Sequence, residues 1–248
     1  MRLLPCGSHA ILVDLPDEAA RRRFDRALRA ARSTGFLANV VVEQVPAART
    51  VLVRVRPGVQ PASVTRELRA LASDDRDPRP AQVANAASTV RDSDDPRALS
   101  APSASSACHA MMADGELSEL LVPTVYDGPD VQPLAHSVGA TVDALVRWHT
   151  GSTWTVDFAG FAPGFGYLVR DEASEPPFDV SIPRLARPRT RLPAGSVGLA
   201  GSYSGIYPSA SAGGWQLIGR TELRTWDAGR DEPARLIPGR RVRFEVAQ

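Results

Sequence analysis

The residues best suited to chemistry lie between Arg187 and Arg220. Arg187, Arg189 and Arg191 alternate, so on a strand they share one face. Three guanidiniums on one face repel each other unless an anion or carboxylates answer them; a solvated sheet face is the plainer alternative. Trp215, Gln216 and Arg220 follow and add a ring for stacking, an amide and another guanidinium. Planar, permanently charged donors suit a carboxylate or a phosphate. Glycines and prolines between them (Gly195, Gly198, Gly205, Gly213, Gly214; Pro188, Pro193, Pro208) allow positive φ, close backbone approach and rigid turns. The mixture reads as an anion-binding site carried on short strands, with Tyr207 inside it.

Other constellations compete for a role. The loop Gly160-Phe161-Ala162-Pro163-Gly164-Phe165-Gly166-Tyr167-Leu168 sets aromatic rings among turn formers. It is either a pocket wall or a tight turn whose rings fill the core. His149 ends a helix, where the helix dipole favours an imidazolium, so a capping role suffices. It also stands just before an aromatic strand, which makes it the best-placed general acid–base group. His9, His109, His136 and His149 show no metal-ligand spacing. Ala194-Gly195-Ser196-Val197-Gly198 mimics a nucleophile elbow, but no helix follows Ser196, so a turn entering a strand is the better reading. Residues 131–151 have a helix-turn-helix outline. Their second helix offers Asp143, Arg147 and Trp148 with no basic edge, and two helices packed across a barrel end fit better.

Composition removes several mechanisms. All 29 basic residues of the 248 are arginine. Without lysine there is no P-loop, no Schiff base and no serine–lysine pair. A net charge of +1 argues against electrostatic nucleic-acid binding. Cys6 and Cys108 are too far apart in sequence for a metal-binding CxxC pair or a disulfide framework. No run approaches the ~20 apolar residues of a membrane helix, and residues 1–6 are too short and proline-broken for a signal peptide. A cytoplasmic chain without a membrane or nucleic-acid partner is the expectation.

The elements that must position these residues fall into two groups. A strand at 9–15, a helix at 17–32 stopped by Gly35, strands at 40–45 and 50–56 and a helix at 61–72 make an α+β unit with helices on one sheet face. Residues 74–117, rich in Asp, Ser, Pro and Ala, read as a flexible linker. Beyond them come a strand at 120–125, a helix opened by residues 127–130 and stopped near Gly139, and a helix capped by Thr141. Trp154, Val156 and Phe158 then alternate on a strand, short Gly- and Pro-bounded strands follow, and a last strand turns Val242, Phe244 and Val246 inward. Many short strands with regular turns suggest a closed barrel or a sandwich.

Taken together, these motifs resemble the B subunit of the bacterial ATP-hydrolysing 5-oxoprolinase, a family that also takes in KipI-type kinase inhibitors and allophanate hydrolase subunit 1. The resemblance rests on Gly7-Ser8-His9-Ala10-Ile11-Leu12-Val13, Val45-Pro46-Ala47, Gly128-Pro129-Asp130, His149-Thr150 and the 160–168 loop. It continues through Pro188-Arg189-Thr190-Arg191-Leu192-Pro193-Ala194-Gly195-Ser196-Val197, Gly205-Ile206-Tyr207-Pro208 and Gly214-Trp215-Gln216-Leu217-Ile218-Gly219-Arg220. It departs at 169–183 and at Ser202-Tyr203-Ser204. The resemblance implies an α+β chain: a small N-terminal α+β sandwich domain (1–73), the linker (74–117) and a C-terminal cyclophilin-like β-barrel (118–248). It implies a heteromeric complex with A and C subunits, the latter built on a homologous barrel. That complex opens the lactam of 5-oxoproline to L-glutamate, sharing ATP and needing no metal in this chain. The candidate catalytic groups are then His149, Arg189 and Arg220. Phe165, Tyr167, Arg191, Tyr207, Trp215 and Gln216 are the candidate contacts to a small anionic substrate or nucleotide. The alternative within the same resemblance is a non-catalytic regulator that binds and inhibits a sensor histidine kinase.

Overall fold

The structure is a computed structural model that describes residues 1–73, 118–171 and 181–247. The expected linker at 74–117 lies outside the described residues. The described N-terminal and C-terminal segments belong to one compact unit.

The N-terminal segment forms β1 (Arg2–Pro5), β2 (Ala10–Asp14), α1 (Glu18–Ala31), α2 (Gly35–Val40), β3 (Val41–Pro46), β4 (Thr50–Val55) and α3 (Pro61–Ser73). The strands pair antiparallel in the order β1-β2-β4-β3. Ile11, Val13, Val51, Val53 and Val55 point to one face, where Phe24 and Leu28 of α1 and Val64 and Leu68 of α3 cover them. Asp17 caps α1 by accepting from the Ala20 N–H at 2.7 Å. Two elements differ from the sequence reading. β1 is a short edge strand of exposed residues around Leu3, with too little alternation to be seen. Gly35 does not stop α1 but opens α2, and its φ of +79° is a turn that glycine supplies without strain.

The C-terminal segment carries β5 (Leu120–Thr124), α4 (Val131–Ser137), α5 (Val142–Gly151), β6 (Trp154–Ala159), β7 (Gly166–Arg170), β8 (Arg189–Leu192), β9 (Ser196–Ala200), β10 (Tyr203–Ile206), β11 (Ser211–Gly213), β12 (Gln216–Arg220) and β13 (Arg241–Val246). Seven strands form one sheet in the order β12-β9-β10-β7-β6-β13-β5, while β8 and β11 pair separately. Val125 and Arg220 exchange backbone hydrogen bonds of 2.9 Å, which joins the end of β5 to the end of β12. The sheet is thereby nearly closed and barrel-like, and the chain is mixed α and β with few helices. Thr141 caps α5 by accepting from the Ala144 N–H at 3.1 Å. Leu134, Ala135 and Leu145 of the two helices pack into the barrel's core. Val246, expected inward, is 62% exposed: the core ends on β13 at Phe244.

One irregularity sets up the site. In the β6–β7 ladder Val156 faces Leu168 and Phe158 faces Tyr167, so Asp157 is an extra residue on β6. Such a bulge changes which face the following side chain takes.

Candidate functional site

Two clusters occupy opposite faces of the large sheet. The first takes residues from all seven strands and from α4 and α5, so it is the barrel interior. The second takes Phe158, Phe165, Ala200, Tyr203, Tyr207, Trp215 and Leu217 from the neighbouring β6, β7, β10, β9 and β12 or their flanks, plus Leu192 of β8. It therefore lies on the outer face of one side. The alternation is clear on β10, where Ser204 and Ile206 turn inward and Tyr203 and Gly205 outward.

On this outer face the expected aromatic residues meet. Phe165 lies 5.1 Å from Tyr167, 5.3 Å from Tyr207 and 5.4 Å from Trp215 between ring centroids, each edge to face. Tyr167 stacks on Phe158 at 4.3 Å and 17°. Such pairs add about 0.5–1.5 kcal/mol each beyond the area they bury. Gly205 lets the rings close over the strand: a Cβ there would sit 3.0 Å from both Phe165 and Trp215. The 160–165 loop borders the cluster. Its tip, Phe161, has φ +68°, alone among the described non-glycine residues. Phe161 is 60% exposed, yet its ring meets Phe165 and Tyr207 edge-on. A non-glycine residue held in that region costs about 1–3 kcal/mol, and such strain gathers at ligand clamps.

Charge reaches this face from two sides. Arg184 acts electrostatically on both Tyr167 and Tyr207. It is held near by Gln216, whose amide donates to the Pro183 carbonyl at 3.0 Å, and by the Leu185 N–H bonded to Gly214 O at 2.8 Å. Burial raises both phenol pKa values; Arg184 opposes this at both, and the Trp215 backbone N–H also opposes it at Tyr207. Both hydroxyls are thus protonated donors near neutral pH. Arg189 is the second cation, and its charge also reaches Tyr207. Its two Nη groups fork onto Asp130 at 2.9 and 2.7 Å, and Asp130 Oδ2 also accepts from the Leu217 N–H at 2.7 Å. The carboxylate needed to answer the arginine run is therefore supplied by the protein.

The other candidates lie elsewhere. Arg191 is exposed on β8. Arg220 sits about 13 Å along β12 from Gln216 at strand rise, and its Nε donates to Asp127 at 3.0 Å. The pair is half exposed, so Arg220→Ala and Arg191→Ala are each expected to change unfolding free energy by less than about 1 kcal/mol in urea titrations. Arg189, Arg191, Trp215 and Arg220 do not converge in one barrel mouth. Trp215 is buried in the outer cluster, and the guanidiniums are spread along β8 and β12.

His149 is inside the barrel and fully buried. Tyr126 OH lies 2.7 Å from Nδ1, and Ser204 Oγ lies 2.9 Å from Nε2. Burial drives its pKa down to about 3. The expected imidazolium at a helix end is thus corrected to a neutral core ring, since desolvation outweighs the helix dipole. Ser204 and Tyr203 are adjacent on β10, so the sheet itself separates His149 from the aromatic face. Ser196 begins β9, is buried, and donates to Pro193 O at 2.7 Å, which is a turn and not an elbow. Among the described residues no three His, Cys, Asp or Glu side chains gather to hold a metal, and no helix is long and apolar enough to cross a membrane.

Sequence reasoning missed Asp130, Arg184, Arg21 and Asp157. Asp130 stands in the quoted Gly128-Pro129-Asp130 motif, but its partner is 59 residues away. Arg184 has no periodicity to flag it.

The carboxyltransferase domain family, subdomains C and D, matches residues 1–236. The 5-oxoprolinase B subunit of Escherichia coli O157:H7 is 44% identical over 126 residues, covering 50% of this chain and 56% of that protein. The protein of the same name in Haemophilus influenzae is 36% identical over 138 residues, covering 54% and 62%. That of Bacillus subtilis is 36% identical over 126 residues, covering 50% of each. The chain spans about half the length of the curated relatives it matches. These matches bear out the resemblance to the 5-oxoprolinase B-subunit family. Among solved structures, TTHA0988 superposes with a TM-score of 0.62 at 24% identity over 97% of this chain and 40% of its own. The Kluyveromyces lactis urea carboxylase does so at 0.54 and 16% over all of this chain and 23% of its own. Both likenesses speak for the fold alone.

Proposed function

The chain belongs to the carboxyltransferase domain family, subdomains C and D, and from that premise we propose that it is the B subunit of an ATP-dependent 5-oxoprolinase. On this reading it opens the lactam of 5-oxoproline to L-glutamate together with A and C subunits, the latter built on a homologous barrel. The same kinship carries the cyclophilin-like description of the barrel and the N-terminal α+β sandwich.

The observation that carries the reading is the outer aromatic face beside Arg184 and Arg189. A five-membered lactam bearing a carboxylate has an apolar ring face and an anionic edge. Tyr167, half-buried, and Phe161, exposed at the loop tip, offer ring surface to the first above the buried Phe165, Tyr207 and Trp215, and the Arg184 guanidinium answers the second. Gln216 and Arg189 are fixed beside this face, through Pro183 and Asp130 respectively. A lactam amide is a poor electrophile, and transfer of phosphoryl to its oxygen creates a leaving group, which is the role ATP has in this reading. On the same reading the nucleotide is shared with the partner subunits; this lysine-free chain offers no P-loop of its own. His149 and Arg220 lie away from this face and take no part in it.

The test is reconstitution. The purified chain alone is expected to release no glutamate from 5-oxoproline, and co-expression with its A and C partners is expected to give co-purification and ATP-dependent release. In that complex Arg184→Ala is expected to lower kcat/KM by about tenfold to a hundredfold, the worth of one charged hydrogen bond. Turnover by the isolated chain would refute a shared site. A complete complex that forms no glutamate would refute the reaction.

A further inference from the structure

The bulge on β6 is gripped from outside the barrel. Trp154 and Val156 face the interior, and regular alternation would send Phe158 there too. The extra residue, Asp157, places Phe158 on the outer face instead, opposite Tyr167. Bulges disrupt the ladder locally and re-aim side chains. Here the holder comes from the N-terminal segment. Arg21 of α1 is fully buried, and its guanidinium forks onto Asp157, with Nη1 donating to Oδ1 at 2.8 Å and Nη2 donating to Oδ2. The Asp157 side chain is only 7% exposed, and Arg22 stands 3.7 Å from it. The same Arg21 guanidinium carbon lies 5.5 Å from the centre of the Phe158 ring. One side chain thus anchors the inserted residue and covers the ring that the insertion re-aims. Tyr203 completes the arrangement, edge-on to Phe158 at 5.8 Å and to Tyr167 at 5.6 Å. Glu18, one turn earlier on α1, accepts from Ser202 Oγ at 3.0 Å beside it.

We infer that Arg21 and Asp157 are positioning residues for the outer aromatic face: the N-terminal helix holds the bulge that turns Phe158 onto Tyr167. As a statement about substrate binding, this rests on the reading that the face takes a lactam carboxylate. As a statement about Tyr167, it stands on the geometry alone. Stability is a poor reason for such a pair, since two desolvated charges are commonly replaced by apolar residues at no loss. What an apolar pair cannot supply is the bidentate grip that fixes where Asp157, and so Phe158, must sit.

The experiment uses the full chain labelled with 3-fluorotyrosine, whose four tyrosines give four fluorine resonances, with Tyr167→Phe assigning one of them. Arg21→Met alone strands a buried carboxylate and is expected to destabilise the fold. Arg21→Met with Asp157→Leu is expected to recover wild-type thermal stability while leaving the Tyr167 resonance shifted. Affinity for L-5-oxoproline, read by calorimetry, is expected to stay about tenfold weaker than wild type, roughly the worth of one oriented aromatic contact. Should the double variant fail to fold, Asp157→Asn, of equal size, carries the same two readouts. A stable variant with an unshifted Tyr167 resonance and unchanged affinity overturns the inference. If the wild-type chain binds no 5-oxoproline, the substrate reading is what fails, and the fluorine shift alone decides the role of Arg21.

Discussion

Asp130→Ala is expected to lower the unfolding free energy by about 2–4 kcal/mol. Its carboxylate takes both Nη groups of Arg189 and the N–H of Leu217. Removing one partner of a buried pair costs about 3–5 kcal/mol, because the other charge is left without an answer. The Asp130 side chain is 9% exposed and Arg189 29%, so Arg189 regains some water, which brings the figure down. The Leu217 N–H is buried and gains nothing back. The surrounding loop shares the burden. Gly128 N–H and Asp130 N–H donate to Ile218 and Leu217 carbonyls at 3.2 and 3.0 Å, and Gly128 has no room for a Cβ against β12. The loop before α4 is thus laid along the edge of β12, and Asp130 is the clamp.

The order of effects follows. Asp130→Asn keeps the shape and loses the charge, so about 1–2 kcal/mol is expected. Arg189→Ala leaves Asp130 bonded to Leu217 and is expected to cost less than Asp130→Ala. Urea unfolding with an unchanged m-value is the measurement. An Asp130→Ala loss below about 1 kcal/mol would mean that the loop holds without its carboxylate, and Arg189 would then be free to serve a ligand.

How much of this was legible in the sequence depended on the range of the interaction. The alternation of Val51, Val53 and Val55 and the helical spacing of Phe24 and Leu28 announced their faces correctly, because burial on one side imposes that period locally. The aromatic loop and Trp215 were visible as types, and the structure does bring Phe165, Tyr167, Tyr207 and Trp215 together. Their face was not visible. For Phe158, which stacks on Tyr167, periodicity counts residues in steps of two, and one inserted Asp157 reverses the count. Arg21 stands three residues before Phe24 and seven before Leu28, on the buried stripe of α1, so its burial could be read from the helical spacing; its partner Asp157, 136 residues away, could not. Arg189 looked like a ligand-seeking cation because its carboxylate is remote in sequence. His149 looked like a helix-end imidazolium because the rings that enclose it, Tyr126, Trp154 and Phe244, come from three other segments.

That enclosure makes acid the sharpest probe of the barrel. The folded-state pKa of His149 is lowered to about 3 by burial, against an ordinary value of 6.5. The unfolded chain therefore binds a proton that the folded chain refuses. Above pH 6.5 neither state binds it, and the full stability is present. As pH falls from 6.5 toward 3, this one group removes about 1.4 kcal/mol per pH unit, or about 4–5 kcal/mol by pH 3. That is comparable to the whole stability of a marginal domain. Hydrogen bonding does not rescue the charged form, although the Tyr126 and Ser204 hydroxyls are able to accept from both ring nitrogens. The interior around them is apolar, with Phe244 only 4.1 Å from the imidazole between ring centres, and desolvation dominates. His149→Gln keeps a donor and an acceptor but has no proton to gain. Whatever it costs at pH 7.5, its unfolding free energy plotted from pH 6.5 to 4 is expected to fall less steeply than wild type by about 1.4 kcal/mol per unit. Parallel slopes for the two proteins would show that the imidazole titrates normally in the folded chain, and the reading of a dry, neutral histidine at the centre of the barrel would be lost.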